Sequence, residues 1–296
     1  MLEDRWSRKP ADLLDIPDKA NLLLFADQQN CHIQISDKNL SACSFIRLGM
    51  RDAIFKNCAL TQSNFEDSYF RKAEFVNVRF TGSAFRFCNF EKAKFKSCDL
   101  KYCNFHFCKL PVDEIKSCLP QEPNLRRDLA RSLRSNFLAM GDKKSADIFL
   151  NIEIQANEEL SKSILLSRTQ YFKENYDLID RIWEGLRYIA SRLSGLIWGY
   201  GYRVDRLLMS FVFITIICSL ATYFLGINFI VDPDTSPRSL SFGESILSAF
   251  SGTISVSVLS VIPTSLLGKL ILLAESFFGT IFLALLAATF YRRITR

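Results

Sequence analysis

Residues 65–95 read FEDSYFRKAEFVNVRFTGSAFRFCNFEKAKF, a stretch with phenylalanine at every fifth position. The same register carries a large apolar side chain at all 17 positions from Ile35 to Ile115. A helix repeats its buried face every 3.6 residues and a strand every two, so a period of five fits neither alone. The period therefore predicts a chain that winds around a narrow core in units of five residues.

A second, smaller inward position accompanies the large one. Side chains two apart on an extended segment share a face, so the residue two before each large one should also point inward. From Phe45 to Leu110 this residue is usually small: Cys43, Ala53, Cys58, Ser63, Ser68, Ala73, Ser83, Cys88, Ala93, Cys98, Cys103 and Cys108. The cysteines at this position suit packing rather than chemistry, since a thiol behaves as a compact apolar group. The sequence has no C-x-x-C pair and no signal peptide at Met1, so we expect free cytosolic thiols and no metal site.

This pattern resembles the pentapeptide-repeat family, whose members form a right-handed quadrilateral β-helix. The resemblance covers residues 31–118, after an N-terminal cap segment at 1–30, and implies about four coils stacked at ~4.8 Å. Some members of that family mimic DNA with an acidic face. Residues 35–118 here hold 14 Lys or Arg against 9 Asp or Glu, which is the wrong sign for a DNA mimic. The charges are spread over the outward positions, so we expect a solvated surface and no nucleic-acid partner.

The second half of the chain is apolar. Residues 207–231 contain no charge, and residues 264–291 contain only Lys269 and Glu275. Both stretches are long enough to cross a hydrocarbon core of ~30 Å, so we predict two transmembrane helices. The alternative, two buried helices of a soluble domain, would need a partner large enough to cover both. Arginines precede the first stretch and follow the second, which favours a cell inner membrane protein with both termini in the cytoplasm.

Helices are predicted between the repeat and the first span. Leu125, Leu129, Leu133 and Phe137 recur every four residues until Gly141, and a second helix starts near Asp142. This spacing predicts a helical hairpin linker within residues 119–177. Residues 178–206 then place apolar side chains along one side of a helix, with arginines off that side. We interpret this segment as an interfacial amphipathic helix, with a plain core helix as the alternative.

Residues 241–263, between the spans, are apolar but too short and too rich in Ser and Gly to cross alone. Non-helical backbone at membrane depth must be buried in protein or line water, so this segment implies a pore or cavity. The order of span, short helix, loop, Pro263 and span resembles the two-transmembrane pore module of potassium-channel-like proteins. Gly279, sixteen residues after Pro263, falls where that family has its hinge glycine. The resemblance implies a homotetramer, because one chain supplies only one pore loop.

The predicted selectivity filter departs from that family. Where the family has Thr-Val-Gly-Tyr-Gly-Asp, residues 255–260 read SVSVLS. Glycine permits the backbone conformations that aim carbonyls at an ion, and Ser257 and Leu259 resist them, so we expect no selectivity for potassium. Hydroxyl groups could still line a less demanding pore, and the valines or Leu259 could form a constriction. The candidate pore and filter residues are Thr253, Ser255, Val256, Ser257, Val258, Leu259 and Ser260.

Glu275 is the remaining candidate site residue, together with Gly279. A carboxylate about two turns into a membrane helix costs roughly 2.5 to 3.5 kcal/mol on insertion scales, so it should have a specific role. Two interpretations are open at this point. Either Glu275 faces the pore and favours cations, or it bonds a hydroxyl such as that of Ser255 or Ser257 behind the filter.

These observations predict a multi-domain membrane protein that acts as a homo-oligomeric ion channel, a tetramer, without potassium selectivity. Its expected partners are membrane lipid, permeant inorganic ions, further copies of itself and an unknown cytosolic ligand or protein acting on the repeat domain. The alternative is a membrane-anchored interaction scaffold that conducts nothing. The sequence has no phosphate loop, no Ser/His/Asp arrangement and no metal-ligand cluster, so we expect neither enzyme activity nor a cofactor.

Overall fold

The five-residue repeat builds two parallel sheets of three-residue strands. The computed structural model describes residues 11–13, 18, 22–29, 32–167, 170–201, 204–230, 236–254 and 262–294. The chain divides into two units, residues 1–184 and 185–296. The strands of the first unit are β1 (Leu24–Ala26), β2 (Gln34–Ser36), β3 (Ser44–Ile46), β4 (Ile54–Lys56), β5 (Asn64–Glu66), β6 (Glu74–Val76), β7 (Ala84–Arg86), β8 (Lys94–Lys96) and β9 (Asn104–His106).

The strands stack as a four-sided β-solenoid. One sheet has the order β1-β3-β5-β7-β9 and the other β2-β4-β6-β8, each strand pairing in parallel with the strand 20 residues later. Single-residue bridges with the same 20-residue offset, such as Gly49 to Tyr69 and Ala59 to Arg79, form the two remaining sides. Four five-residue sides complete a coil, so the described strands make about four coils.

The core is a set of stacked phenylalanine rings. Phe45, Phe65, Phe85 and Phe105 lie one above another, with ring centroids 4.6, 4.8 and 4.9 Å apart. These distances match the spacing of hydrogen-bonded strands, so each coil brings the next ring into contact. The small inward position is also buried and satisfied: the Ser63 hydroxyl donates to the Leu40 carbonyl at 2.9 Å.

The solenoid differs from the predicted 31–118 at both ends. Strand β1 pairs with β3, and the buried Phe25 ring stacks on Phe45 at 5.2 Å, so coiling begins before residue 31. Asn30 interrupts the apolar register and hid this earlier coil from sequence reasoning. At the other end, helix α1 (Val112–Ser117) replaces a strand. Ile115 keeps the register and is buried, but it belongs to that helix.

Helices cover the last coil. The Glu114 carboxylate, on α1, accepts a hydrogen bond from the Phe95 backbone N–H at 3.0 Å. On helix α2 (Pro123–Ala139), the Ser132 hydroxyl accepts from the Phe105 N–H at 3.1 Å. The Asn136 side chain bonds both the N–H and the carbonyl of Cys108, at 2.7 and 2.8 Å. These side chains replace the strand that would come next and protect the open edge of the sheet.

Helix α2 and helix α3 (Lys143–Leu165) form an antiparallel hairpin that joins at Gly141. Gly141 has φ of +75°, the left-handed conformation that commonly ends a helix and that glycine adopts easily. Phe137 and Phe149 stack across the hairpin at 5.4 Å, and Glu153 pairs with Arg131 at 2.9 Å. A short helix, α4 (Gln170–Asn175), follows.

Helix α5 (Leu178–Trp198) contains the boundary between the two units, and a single 3-10 turn (Gly199–Gly201) follows it. The second unit then has three further helices, α6 (Val204–Phe224), α7 (Phe242–Ile254) and α8 (Leu266–Ile294). Two helical stretches, Val204–Phe224 and Leu266–Tyr291, are long and apolar enough to cross a membrane.

A small antiparallel sheet occupies the segment that the sequence assigned to the end of the first span. Helix α6 ends at Phe224 rather than residue 231, because Gly226 adopts φ of +57° and turns the chain. Strand β10 (Asn228–Ile230) pairs with β11 (Arg238–Ser239) and with β12 (Ile262–Pro263). The Phe229 side chain is fully buried in this sheet's own apolar cluster.

Candidate functional site

The candidate site is the C-terminal end of α7, where it contacts α6 and α8. Aromatic side chains hold the three helices together: the Phe211 ring of α6 lies 6.3 Å from Phe250 of α7 and 4.3 Å from Phe282 of α8. At the other end of α7, Tyr223 contacts Phe242 at 5.8 Å. The short helix is therefore fixed at both ends against the longer ones.

The N-terminus of α7 is closed by a capping box that sequence reasoning missed. The Ser241 N–H donates to the Glu244 carboxylate at 2.9 Å, and the Glu244 N–H donates to the Ser241 hydroxyl at 3.4 Å. The spacing Ser-x-x-Glu was the signal that could have located this helix start. Arg238 forms an ion pair with Glu244 at 2.6 Å. Hydrogen bonds from Arg238 and Ser241 lower the pKa of Glu244 to about 2, so the cap is charged near neutral pH.

Gly279 is the point where α8 comes closest to α7. A Cβ added at Gly279 would lie 1.7 Å from the Thr253 carbonyl oxygen, and most of that collision is with backbone. Only glycine allows so close an approach. The Thr253 side chain is buried, and its hydroxyl donates within its own helix to the Ala249 carbonyl at 3.0 Å. Thr253 and Gly279, both predicted site residues, are therefore in contact.

Glu275 lies one turn before Gly279 and faces the same helix. A Cβ added at Gly252 would lie 2.7 Å from the Glu275 Oε2 atom, so the carboxyl group rests against α7. The side chain has no exposed surface, and neither carboxyl oxygen has a hydrogen-bond partner among the described residues. The structure thus places the Glu275 carboxyl group against α7, and both interpretations of its role, facing the pore or behind the filter, stay predictions.

The predicted filter itself lies outside the described residues. This applies to Ser255, Val256, Ser257, Val258, Leu259 and Ser260. Their role as a pore lining therefore stays a prediction, as does a hydrogen bond from Ser255 or Ser257 to Glu275. The structure brings together three of the predicted site residues: Thr253 at the end of α7, and Glu275 and Gly279 of α8.

Buried hydroxyl groups between these helices are a further feature that sequence reasoning missed. The side-chain oxygens of Ser219 on α6 and of Ser245 and Ser248 on α7 are buried without a hydrogen-bond partner among the described residues. Ser245, Ser248 and Ser251 recur every three residues, which places them on one side of α7. That spacing in an apolar helix was the sequence signal that one side of α7 is polar.

The solenoid cysteines have the packing role predicted for them. Cys43, Cys58, Cys88, Cys98, Cys103, Cys108 and Cys118 are buried free thiols. Burial raises the pKa of Cys103 to about 12, which keeps this thiol protonated at neutral pH. In the part of the chain that the structure describes, no group of three or more His, Cys, Asp or Glu side chains is placed to hold a metal ion.

Comparison with known proteins identifies the solenoid. Residues 48–125 match the family described as pentapeptide repeat region. The repeat part is a pentapeptide-repeat solenoid. Two solved structures of trypsin-treated variants of QnrB1, a plasmid-mediated fluoroquinolone resistance protein, are similar at 12% and 18% sequence identity, with TM-scores of 0.14 and 0.12.

These matches concern a limited part of each protein. They cover 32% and 31% of this chain and span 56% and 65% of the two QnrB1 chains. No curated protein matches the chain. The family match ends at residue 125, so it does not reach the apolar helices.

Proposed function

We propose that the chain is one subunit of a homo-oligomeric ion channel with potassium-channel-like architecture. In this proposal four copies surround one pore, α6 and α8 span the membrane, and α7 with the loop after it forms the entrance. The pentapeptide-repeat solenoid assembles or gates the channel from the cytosol, in response to a cytosolic ligand or protein.

The observation that carries the proposal is the placement of α7. This helix has 13 residues, so it is about 20 Å long and cannot cross a ~30 Å hydrocarbon core. It nevertheless packs against two helices that are long enough to do so. The backbone that leaves α7 after Ile254 must then either be buried in protein or line water. A short helix between two candidate spans is the arrangement expected of a pore entrance.

The exposure of the two long helices supports a membrane location. Only 22% of the apolar part of α6 and 11% of that of α8 are buried within the chain. Core helices of a soluble domain would be covered by their own chain, whereas lipid and neighbouring subunits can cover these surfaces. The apolar side of α5 is also exposed, with Trp183 at 61% and Leu196 at 73%, as suits a helix at a membrane interface.

The expected ion preference follows from the filter sequence and the direction of α7. Ser257 and Leu259 stand where potassium filters have glycine, so the pore should not distinguish potassium from sodium. The C-terminal ends of four α7 helices would point their negative dipole ends towards the cavity. The proposed channel therefore conducts cations without choosing among the alkali ions.

The orientation rests on charge. Arginines lie before α6 and at the C-terminal end of α8, whereas the connection between α6 and α7 contains Arg238 beside Asp232 and Asp234. Basic residues stay on the cytoplasmic side, so both termini and the solenoid are proposed to face the cytoplasm of an inner membrane.

A non-conducting membrane scaffold is the second candidate function. The same substitutions, Ser257 and Leu259, favour it, because a loop without glycine could close the pore altogether. The two functions differ in ion flux and not in assembly.

The test is ion flux from the purified full-length protein in liposomes, with potassium, sodium and chloride gradients compared. The oligomeric state of the same preparation is measured by native mass spectrometry. The channel predicts a tetramer with flux of both cations and little chloride flux. A tetramer without flux supports the scaffold, and a stable monomer contradicts both the pore and its proposed architecture.

A further inference from the structure

One corner of the solenoid carries exposed aromatic rings where the backbone disfavours them. The residues at this corner are 20 apart, and all five have positive φ: Asp27, Arg47, Asp67, Phe87 and Phe107. Positive φ is uncommon outside glycine and asparagine, and for a bulky side chain it is a strained conformation. Phe87 and Phe107 are nevertheless 52% and 40% exposed, so burial does not compensate for the strain. Positive φ recurs at every fifth residue of the solenoid, so this conformation belongs to the repeat, and the feature particular to this corner is its pair of exposed rings.

The two rings form a stacking surface that ends at Phe107. Their centroids are 5.6 Å apart and their planes 11° from parallel. His106 packs edge-on against Phe107 at 4.7 Å and against Phe87 at 6.1 Å. After Leu110 the chain turns into α1, so the solenoid supplies no further rung to this corner. A flat ring bound beside Phe107 would continue the stack by one coil spacing.

A groove of 780 Å³ adjoins this surface, between strands β7 and β9 and helix α2. Its volume is in the usual range for small-molecule sites. His106 belongs both to the groove and to the aromatic surface. The polar side chains that line the groove include Arg86, Asn104, His106, Asp128 and Arg131.

The charge of the groove favours an anion. Arg86 forms no ion pair among the described residues, and Arg131 shares the single Glu153 carboxylate with Arg134. Asp128, also in the groove, pairs with Arg127 at 3.0 Å. Two guanidinium groups therefore face one groove without full neutralisation. Guanidinium groups match phosphate well because they offer paired N–H donors.

We propose that this groove and the Phe87–Phe107 surface together bind a nucleoside phosphate. The base stacks beside Phe107, and the phosphate groups are held by Arg86 and Arg131. A free nucleotide fits better than a nucleic-acid strand, because the other basic residues of the solenoid are spread over its outward positions and some are paired with acids one coil away, as Arg47 is with Asp27 and Lys94 with Glu74. The site lies wholly within the first unit and stands whether or not the chain conducts ions.

The experiment is calorimetric titration of the full-length protein in detergent with ADP, adenosine and inorganic phosphate. Saturable binding of ADP is expected, with adenosine and phosphate each at least about tenfold weaker, or about 1.4 kcal/mol, because each makes half of the contacts. Phosphate that binds as tightly as ADP would mean an anion site without a stacking surface and would overturn the proposal. Absence of saturable ADP binding, or tighter binding of a short oligoadenylate, would overturn it as well.

Two variants test the ring and the charge separately. Phe107→Asn places a residue that tolerates positive φ at the strained position, so the protein should melt at the same or a higher temperature while ADP affinity falls about tenfold. Tyr102→Asn is the matched control, since Tyr102 is exposed at φ of +60° but lies outside the Phe87–Phe107 surface. Arg86→Gln should also weaken ADP binding, whereas Lys96→Gln, at the equivalent strand position of the other sheet, should not.

These variants also separate binding from folding. If Phe107→Asn unfolds the solenoid, the ring has a structural role and the proposal is wrong in its stacking part. If Phe107→Asn and Arg86→Gln both fold and bind ADP as the wild type does, the groove is not the site.

Discussion

The solenoid and the α6–α8 helices depend on opposite kinds of residue. In the solenoid, large side chains fill a narrow core, and Phe65, for example, stacks on Phe45 one coil before it and on Phe85 one coil after it. Between α7 and α8 the contact depends on small residues. Gly252 and Gly279 let the helices come so close that a Cβ added at either glycine would collide with the facing helix. The solenoid should therefore be sensitive to lost volume, and the α7–α8 contact to added volume.

The largest effect is expected from removing a ring of the solenoid. Phe75 is buried and contacts Phe55 and Phe95 at 5.1 and 5.0 Å. Phe75→Ala should lower the free energy of unfolding by about 3 to 5 kcal/mol, and Phe85→Ala by a similar amount. The measurement is denaturant titration of the full-length protein in detergent, followed by circular dichroism. Lys92→Ala, at an exposed position, is the control, and equal destabilisation by the two kinds of variant would contradict the inward assignment.

A smaller but opposite change tests the helical unit. Gly279→Ala adds one methyl group where only 1.7 Å separates the new atom from the Thr253 carbonyl oxygen. Overpacking of this kind typically costs about 1 to 3 kcal/mol, so the tetramer should dissociate at lower temperature and flux should fall. Gly243→Ala is the matched control, because no atom lies within 4 Å of a Cβ added there. Normal assembly and flux in Gly279→Ala would show that the close contact is unnecessary.

The helix cap at Asp142 lies between these regions in the sequence and should have a modest effect. The Asp142 side chain accepts a hydrogen bond from the Ser145 N–H at 3.1 Å, and Ser145 lowers the pKa of Asp142. Asp142→Ala should cost about 1 kcal/mol at neutral pH. Because the folded-state pKa is lowered, the wild-type advantage is present above the unfolded pKa of about 3.9 and is lost as the pH falls below it.

Asp142→Asn provides the control for this cap. Asparagine keeps a side-chain oxygen for the N–H group but does not titrate, so its stability difference from Asp142→Ala should not change with pH. Thermal melts of the three proteins between neutral and acidic pH give the comparison. A wild-type advantage that grows on acidification would contradict the assigned hydrogen bond.

The smallest effect on ion preference is expected at Glu275. The carboxyl group is buried against Gly252, away from any exposed surface of the chain, so it should not set the sign of the permeant ion. Glu275→Gln should keep the ratio of cation to chloride permeability unchanged in liposome recordings. A clear loss of cation preference would return Glu275 to the pore and contradict the position seen here.

The two regions also differ in how much of them follows from sequence. The inward phenylalanines and small residues of the solenoid were predictable because one rule recurs every five residues, and only the ends failed, where Asn30 breaks the register and Ile115 belongs to a helix. Helices α6 and α8 were predictable from apolar composition. The turn at Gly226 and strand β10 were not, since a short apolar strand reads as the continuation of a helix.

The candidate site was predictable only in part, because its geometry depends on single contacts between helices. The sequence indicated Glu275 and Gly279 but left the direction of the carboxyl group open. In the structure the carboxyl group lies against Gly252, and no periodicity in the sequence indicates such a contact. The buried hydroxyl of Ser219 was missed for the same reason, whereas Ser245 and Ser248 were missed although their spacing was a signal.

Reversal potentials of the purified protein in a planar bilayer test the central claim most directly. With potassium on one side and sodium on the other, the proposed channel should carry current that reverses near zero, because Ser257 and Leu259 replace the filter glycines. With a salt gradient, the potential should shift in the direction of cation permeability. A potassium-to-sodium permeability ratio above about 10 would contradict the argument from backbone geometry. A preference for chloride would contradict the cation assignment, and silence from verified tetramers would leave the scaffold as the function.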